Sequence, residues 1–318
     1  MLIGIIGTGK HGSRYANHIV HDIDGLELAA ISRRSKKGKV QADRWQCSWY
    51  ADWQQLVADE RVEALISAVP PSLNLSIAHS CAAYNKPLLL EKPLADSAGA
   101  AAEIVNLYRE RNLPLTTGQT LRYNQVIRTL KKKLPGLGTL HSFSANQRLE
   151  PSTLSWHKQP ELAGAGVSFH TAVHVFDALC YITGRDIVRV MAVTGSNYNA
   201  VLEDLLLVLV ELDNGVKGTV DCSKVARARS GRFEFVCSDG QLVGDQVHNS
   251  CALTVGMDIH PVDCGEPVGT IIPLLKDWQR FLSGRGDNPI SGADGLRAVQ
   301  ICAACLKSAR RASWVDVT

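Results

Sequence analysis

The sequence has no run of about 18 consecutive apolar residues, so we expect no transmembrane helix. Its apolar N-terminus, Met1 to Gly12, has no basic segment before it and no cleavage pattern after it, which argues against a secretory signal. An excess of one charge is also missing, because 34 Lys and Arg face 31 Asp and Glu, a net charge of +3. This balance argues against a general nucleic-acid-binding protein. We therefore expect a cytoplasmic protein that binds neither nucleic acid nor membrane.

Cysteine pairs with the spacing of a disulfide framework or a zinc site are scarce. The nine Cys residues are an odd number, and Cys302 and Cys305 form the one C-x-x-C pattern. That pattern lies in an Ala-rich helical stretch, and a structural zinc would need a second ligand pair. We interpret the cysteines as reduced, buried small side chains and expect no metal.

The composition is that of a globular protein with a large core. Hydrophobic residues make up 45% and charged residues 20% of 318 residues, a length typical of roughly two domains. In the first part of the chain, short apolar runs such as Leu2 to Ile6 and Val62 to Ala68 alternate with helical patterns. This alternation predicts βαβ units and a parallel sheet.

The rhythm changes near residue 122, where β-rich runs begin to follow one another through short turns. Asp213-Asn214-Gly215 and Ser238-Asp239-Gly240 are hairpin signals between such runs. We therefore predict an α/β fold with two domains. Residues 1–121 would form an N-terminal Rossmann domain with a doubly wound parallel sheet that binds NAD(P). Residues 122–318 would form a C-terminal α+β domain with a large, mainly antiparallel open sheet for substrate binding and oligomerisation.

A glycine-rich turn follows the first predicted strand, and its sequence is Gly7-Thr8-Gly9-Lys10-His11-Gly12. In a G-x-G-x-x-G turn the first glycine permits the tight turn, the second lets the backbone approach a pyrophosphate, and the third lets helix and strand pack closely. The helix that follows presents N–H groups to the anion. The position between strand and helix predicts dinucleotide binding, and the alternative is a purely structural loop.

The residues at the end of the second predicted strand indicate whether the dinucleotide is NAD or NADP. A carboxylate there would accept hydrogen bonds from the ribose 2′-OH of NAD, but this strand ends in Ser32-Arg33-Arg34. Nothing in that run repels a 2′-phosphate, and a guanidinium can hold it with charge-assisted hydrogen bonds. We predict NADP(H), with NAD less favoured. The alternative is a solvated run of charge.

Several motifs together resemble the glucose–fructose oxidoreductase / inositol dehydrogenase (Gfo/Idh/MocA) family over nearly the whole chain. Besides the glycine turn they are Ala68 to Asn74, Leu90-Glu91-Lys92-Pro93, Gly118 with Arg122-Tyr123-Asn124, and the helix start from Gly164 to Asp177. The resemblance implies a pyridine-nucleotide oxidoreductase that acts on sugars or polyols, with its active site between the two domains.

The resemblance also implies which residues hold the cofactor. They are Gly7, Thr8, Gly9, Lys10, His11, Gly12, Ser32, Arg33, Arg34, Ala68, Val69, Pro70, Pro71, Asn74, Glu91, Lys92, Gln119 and Arg122. Arg122 and Tyr123 follow a predicted strand, so we expect them to line the cofactor or substrate crevice. The alternative for both is packing where the two domains meet.

Two catalytic positions carry over from the family. Lys92 matches the lysine of its E-K-P motif, and His174 matches the histidine of its D-x-G-x-H-x-x-D motif, with Asp177 as the final acid. The sequence departs from the motif at His170, where the family has Asp, and at Ala172, where it has Gly. If the segment is an α-helix, His170 and His174 lie on one face, about 6 Å apart along the axis.

Hydride transfer to a carbonyl carbon needs an acid that protonates the forming alkoxide, and the reverse reaction needs a base. A lysine suits this task when burial or a neighbouring cationic ring lowers its pKa. We assign Lys92 as proton donor or orienter and His174 as its partner or an alternative acid/base, and we expect His170 to contact a substrate hydroxyl. The predicted substrate-binding residues are Lys92, Tyr123, Trp156, His157, His170 and His174.

The predicted function is NADP(H)-dependent hydride transfer between nicotinamide and a secondary alcohol or ketone of a sugar, cyclitol or related polyol, without a metal. An open sheet face in the second domain would support a homodimer or homotetramer, as the resemblance also implies. One alternative is a glycosidase that uses tightly held NAD for transient oxidation. A second is an NADP(H)-binding sensor or regulatory protein without catalysis, which His170 at the position of the family Asp suggests.

Overall fold

A computed structural model describes all 318 residues. The chain folds into two compact units, Met1–Thr120 with Gly269–Leu296 and Leu121–Val268 with Arg297–Thr318. The first unit thus takes in a segment near the C-terminus, whereas the sequence analysis divides the chain once, after residue 121. The division into a cofactor domain and a substrate domain stays a prediction. No helix combines the length and the apolar character that crossing a bilayer requires.

The structure contains fifteen strands and ten α-helices. The strands are β1 (Leu2–Ile6), β2 (Glu27–Ser32), β3 (Ser48–Tyr50), β4 (Ala64–Ser67), β5 (Leu88–Glu91), β6 (Leu115–Gly118), β7 (Leu140–Arg148), β8 (Ile187–Gly195), β9 (Leu205–Leu212), β10 (Lys217–Ser223), β11 (Arg232–Cys237), β12 (Gly240–Asp245), β13 (Ser250–Val255), β14 (Asp258–Pro261) and β15 (Val315–Asp316). The helices are α1 (Gly12–His21), α2 (Lys37–Trp45), α3 (Trp53–Val57), α4 (Asn74–Ala83), α5 (Ala98–Glu110), α6 (Gln125–Lys133), α7 (Pro160–Ala163), α8 (Val173–Thr183), α9 (Ile271–Leu282) and α10 (Gly292–Arg311).

The first unit contains a six-stranded parallel sheet in the order β3-β2-β1-β4-β5-β6, the strand order of a doubly wound Rossmann fold. Every residue of β4 and β5 is buried, as expected for strands covered by helices on both faces. Several hydrogen bonds hold the segment 269–296 here, among them those of Gln279 and Asn288. Gln279 Nε2 donates to Asp24 O at 2.9 Å, and Asn288 Nδ2 donates to Leu115 O at 2.7 Å.

The second unit contains a nine-stranded sheet in the order β14-β13-β12-β11-β7-β10-β9-β8-β15. All its pairs are antiparallel except β7 with β10. The two predicted hairpins are confirmed, since β9 pairs with β10 and β11 with β12. Burial alternates along β9, which leaves one face of the sheet covered and the other open. The predicted fold class is therefore confirmed for both units.

One predicted helix differs from the structure in a way that affects the site. Residues Ser168–Ala172 form a π-helical turn, in which the Val173 N–H donates to Ser168 O, and α8 begins only at Val173. Glu203 accounts for this local geometry. Its carboxylate accepts hydrogen bonds from the Gly166 N–H at 2.9 Å and the Ser168 N–H at 3.1 Å, which anchors the start of the segment. The expected α-helical spacing between the two histidines is therefore wrong.

The strands of the edge hairpin, β13 and β14, escaped the sequence analysis. Both are short, and β14 is exposed along its whole length, so no pattern of apolar residues marks it. Cys302 and Cys305, in contrast, lie where the helical pattern predicts. Both side chains are completely buried in α10 and are free thiols, and burial raises the pKa of each.

Candidate active site

The glycine turn joins β1 to α1 with a backbone that only glycine accommodates well. Gly7 has φ = +88°, and a Cβ on Gly12 would lie 2.0 Å from the Gly7 carbonyl oxygen. At Gly9, in contrast, an added Cβ would meet nothing within 4 Å, so the space beside this residue is open. No side chain caps the N-terminus of α1. A closed turn with open space at its second glycine fits the approach of a dinucleotide pyrophosphate.

The turn is held from behind by α2 and by the end of β2. Thr8 is completely buried, and its hydroxyl donates to Gln41 Oε1 at 2.8 Å. The Thr8 carbonyl oxygen accepts from Arg33 Nη1 at 2.6 Å and from Gln41 Nε2 at 3.2 Å. Sequence reasoning missed Gln41, because it lies inside α2 without a motif around it. Its hydrogen bonds fix the backbone of the turn in place.

The end of β2 lies directly beside the glycine turn. The Gly7 N–H donates to Ser32 O at 3.0 Å, and the Ser32 side chain is buried. Arg33 is half-buried, with its guanidinium over the turn, whereas Arg34 is exposed. The structure thus brings both arginines to the place where the sequence analysis puts the 2′-substituent of the cofactor.

Glu91 ends β5 and connects it to α1. Its Oε1 accepts from the Tyr15 hydroxyl at 2.5 Å and lies 2.8 Å from His11 Nε2, and its Oε2 accepts from the Lys92 N–H at 3.2 Å. Burial raises the pKa of Glu91, but the charge of His11 and hydrogen bonds from His11 and Tyr15 lower it further, so the net pKa is below the ordinary value. A Cβ on Gly118 would lie 2.8 Å from Oε1. Both carboxylate oxygens therefore bind protein groups, a role that the sequence analysis did not assign.

Lys92 follows β5 and is the predicted proton donor. The turn that carries it is held by Asn74, whose Nδ2 donates to the carbonyl oxygens of Pro93 at 3.4 Å and Leu94 at 3.2 Å. Burial lowers the pKa of the Lys92 amine, and the nearby Glu91 charge opposes part of that effect. A lysine with a lowered pKa exchanges protons more readily near neutral pH than an exposed one. Asn74, predicted to bind cofactor, is a buried positioning residue for this turn.

The remaining predicted cofactor residues of the first unit also lie at the carboxyl ends of the strands. Ala68 follows β4, and a Cβ on Gly12 would lie 3.3 Å from the Ala68 Cβ. A Cβ on Gly7 would lie 2.6 Å from Val69 Cγ1. Pro71 begins a 3₁₀ turn and Pro70 caps it. Gln119 follows β6, and neither its Oε1 nor its Nε2 has a hydrogen-bond partner although the residue is only 1% exposed. An orphaned amide at this edge fits a bound polar ligand.

In the second unit, Arg122 and Asp177 form a buried ion pair. Arg122 Nε donates to Asp177 Oδ2 at 2.9 Å, and Nη2 donates to Oδ1 at 2.6 Å. The Asp177 side chain is 1% exposed and that of Arg122 is 14% exposed. Bidentate, desolvated geometry of this kind fixes both side chains. Arg122, which the sequence analysis expects at the cofactor, thus contacts Asp177, the final acid of the motif. Tyr123, the next residue, is buried beneath the guanidinium of Arg128.

Three predicted substrate residues come together in the second unit. The rings of His157 and His170 stack with their centroids 3.9 Å apart and their planes at 8°, and Trp156 meets both rings edge-on. His157 and His170 line a cavity of about 210 Å³. His174 lies one turn further on, in α8, and is half-buried. The π-helical turn rather than an α-helical face is what presents His170 to the cavity.

Comparison with known proteins gives a family for both parts of the chain. The model of the oxidoreductase family with NAD-binding Rossmann fold matches residues 1–119, and that of the GFO/IDH/MocA C-terminal domain matches residues 135–243. An inositol 2-dehydrogenase of Saccharopolyspora erythraea is 24% identical over 337 residues, which cover 100% of this chain and 95% of the relative. A levoglucosan dehydrogenase of Pseudarthrobacter phenanthrenivorans is 24% identical over 323 residues, which cover 84% of this chain and 83% of the relative.

Solved structures agree on the fold. The structure of levoglucosan dehydrogenase in complex with NADH and levoglucosan superposes with a TM-score of 0.92 at 22% identity, and covers 100% of this chain and 99% of that one. An aldose-aldose oxidoreductase of Caulobacter crescentus, complexed with glycerol, gives a TM-score of 0.89 at 18% identity, with 99% of both chains covered. The chain belongs to the Gfo/Idh/MocA family of oxidoreductases, and its first unit has that family's NAD-binding Rossmann fold.

Proposed function

We propose that the protein transfers a hydride between NADP(H) and a secondary alcohol or ketone of a sugar, cyclitol or related polyol. The observation that carries the proposal is Lys92, an amine with a lowered pKa on a turn fixed by Asn74, at the same sheet edge as the open glycine turn. The names of the relatives, inositol and levoglucosan dehydrogenases, support the substrate class.

The nicotinamide ring, when bound, supplies or accepts the hydride. Lys92 protonates the substrate oxygen as it becomes an alkoxide, and in the oxidative direction the neutral amine removes the hydroxyl proton. In the second unit, His174 is the other side chain that we propose as an acid/base group, because a histidine can both donate and accept a proton. His170 contacts a substrate hydroxyl, and Trp156 and His157 form the adjoining wall.

An absorbance screen at the nicotinamide band tests this function. The screen covers polyols and keto-sugars in both directions with both cofactors. We expect turnover with at least one secondary alcohol or ketone. NADPH binding without turnover on the whole library would favour the sensor instead. NAD that survives desalting of the purified protein would favour the glycosidase.

The preference for NADP(H) over NAD rests on the end of β2. The Arg33 guanidinium is held beside the turn by the Thr8 carbonyl, and Arg34 lies next to it in solvent, without a carboxylate that would repel a phosphate. A hydrogen bond to a charged group contributes about 1.5–3 kcal/mol, which corresponds to tenfold or more in affinity. Arg34→Ala, at an exposed side chain that does not hold the turn, should therefore lower kcat/KM with NADP about tenfold and leave kcat/KM with NAD unchanged. Lys39→Ala, an exposed cation on α2, is the control. Equal wild-type rates with the two cofactors would refute the preference.

We further propose that the open face of the nine-stranded sheet forms a homodimer or homotetramer interface. Val193 on β8 and Leu207 and Leu209 on β9 lie beside one another on this face, and they are 63%, 43% and 47% exposed. Contiguous exposed apolar side chains of this kind mark interaction surfaces. Sedimentation velocity should give a dimer or tetramer, and a monomer at micromolar concentration would refute the proposal.

A further inference from the structure

The edge hairpin of the nine-stranded sheet, β13 with β14, and the segment that follows it carry two cysteines. Cys251 lies in β13 and is 7% exposed, whereas Cys264 lies after β14 and is half-buried between exposed neighbours. Both are free cysteines, and their thiols are in hydrogen-bonding contact with each other. A thiol that a reagent in solution can reach is therefore in contact with a second, buried thiol.

Hydrogen bonds on both sides of Cys264 hold the chain after β14 against the start of β13. The Val262 N–H donates to Cys251 O at 2.8 Å, which continues the antiparallel register of β13 and β14 beyond Pro261. On the other side, Asn249 Nδ2 donates to the carbonyl oxygen of residue 265 at 2.9 Å. The contact between the two thiols is therefore built into the backbone of the hairpin and the segment after it.

The other cysteines lack either access to solvent or a neighbouring thiol. Cys222, Cys302 and Cys305 lie near one another, but all three side chains are completely buried, which shields them from reagents in solution. Cys47 and Cys180 are half-buried, and no other thiol contributes to the pKa of either. The pair formed by residues 251 and 264 combines access with a thiol partner.

The surroundings of the two sulfur atoms determine which of them reacts first with an oxidant. Burial and the adjacent Cys264 raise the pKa of the Cys251 thiol to about 12, and the charge of Lys133 opposes part of this effect. Cys251 therefore stays protonated at neutral pH. Because the thiolate is the nucleophile, we expect the more accessible Cys264 to react first and Cys251 to react second.

We propose that Cys251 and Cys264 form a reversible disulfide when the protein meets a peroxide. The Cys264 thiolate attacks one peroxide oxygen, the O–O bond breaks, and the departing hydroxide takes up a proton as water, which leaves a sulfenic acid on Cys264. The Cys251 sulfur then attacks Cys264 Sγ, the S–O bond breaks, and the second hydroxide leaves as water with the Cys251 proton. The two thiols thus lose two electrons, which the peroxide accepts. The cross-link ties the chain to β13 shortly before it leaves the second unit at Val268.

Treatment of the reduced full-length protein with hydrogen peroxide, followed by alkylation with N-ethylmaleimide and mass spectrometry, tests the inference. We expect the intact chain to lose two hydrogen atoms, about 2 Da, before alkylation, and Cys251 and Cys264 to escape alkylation. An endoproteinase that cuts before aspartate places Cys251 on the peptide 245–257 and Cys264 on the peptide 263–276. These two peptides should stay joined until dithiothreitol is added.

Two variants and a matched control locate the cross-link. Cys251→Ser and Cys264→Ser should each abolish the joined peptides. Cys47→Ser, which replaces another half-buried cysteine, should give them as the wild type does. Peptide mapping of the wild type needs no variant, so the test survives if a substitution impairs folding.

The outcomes either support the disulfide or overturn it. Joined peptides from a single chain that separate in dithiothreitol support the inference. Alkylation of both cysteines after peroxide treatment overturns it, and so does a sulfinic or sulfonic acid on Cys264 without the cross-link. A cross-link between two chains overturns it as well. Mass spectrometry requires neither cofactor nor turnover, so none of these results bears on the proposed hydride transfer.

Discussion

The buried ion pair between Arg122 and Asp177 should contribute strongly to the stability of the second unit. Arg122→Ala leaves the Asp177 carboxylate, 1% exposed, without its guanidinium partner and its two hydrogen bonds of 2.9 and 2.6 Å. Breaking a buried pair in this way costs about 3–5 kcal/mol. Because globular proteins unfold with a total of about 5–15 kcal/mol, we expect a loss of about a fifth or more of the free energy of unfolding.

Urea denaturation followed by circular dichroism measures the effect. The control is Arg148→Ala, because Arg148 pairs with Asp221 at 49% and 28% exposure and a surface pair contributes about 0–1 kcal/mol. The double variant Arg122→Leu with Asp177→Leu should be less destabilised than Arg122→Ala, since it removes both charges of the buried pair.

Two results would refute this reasoning. If Arg122→Ala lowers the free energy of unfolding no more than Arg148→Ala does, desolvation of the Asp177 carboxylate does not determine the effect of the substitution. If the double variant is as unstable as Arg122→Ala, the guanidinium acts through its packing, for example against the Tyr181 ring 5.3 Å away, and its charge contributes little.

Further predictions concern the glycine turn and Glu91. Gly12→Ala should destabilise the protein in urea denaturation, because its Cβ would lie 2.0 Å from the Gly7 carbonyl oxygen. Gly9→Ala has open space around the new Cβ, so this variant should fold normally but bind NADPH at least about tenfold more weakly. Normal folding of both variants would contradict this prediction. Burial raises the pKa of Glu91, but His11 and the other hydrogen-bond donors lower it further, so the net pKa in the folded protein is below the ordinary value. Ionisation of Glu91 therefore stabilises the fold above the unfolded-state pKa of about 4.3. This stabilisation is lost as the pH falls through the lower folded-state pKa. Urea denaturation between pH 6 and 2 should therefore show a shallower acid decline for Glu91→Gln than for the wild type, and parallel curves would contradict the assignment.

Much of the first unit could be predicted from local patterns. The strand–turn–helix context of Gly7 to Gly12 is confined to a dozen residues, and the alternation of buried strands with helices fixes a parallel sheet. The segment 269–296 could not be assigned, because its place depends on contacts such as Gln279 with Asp24, 255 residues apart. Gln41 escaped for the same reason, since its partner Thr8 lies 33 residues away.

In the site, the residue types could be predicted from the sequence, whereas their hydrogen-bond partners could not. Glu91, Asn74 and Arg122 were all expected at the cofactor, yet each is engaged by other protein groups. A motif identifies which side chains a family keeps, but the partner of each is decided by tertiary packing. The π-helical turn at His170 follows from hydrogen bonds to Glu203, more than thirty residues further along the chain, which a helical periodicity cannot reveal.

The central claim is that the Lys92 amine moves the proton in a reaction that depends on bound NADP(H). The most direct test measures kcat of Lys92→Ala and, by NADPH fluorescence, the Kd for the cofactor in the same preparation. We predict that kcat falls about 10²–10⁴-fold while the Kd stays at the wild-type value. Turnover at the wild-type rate in this variant would contradict the account.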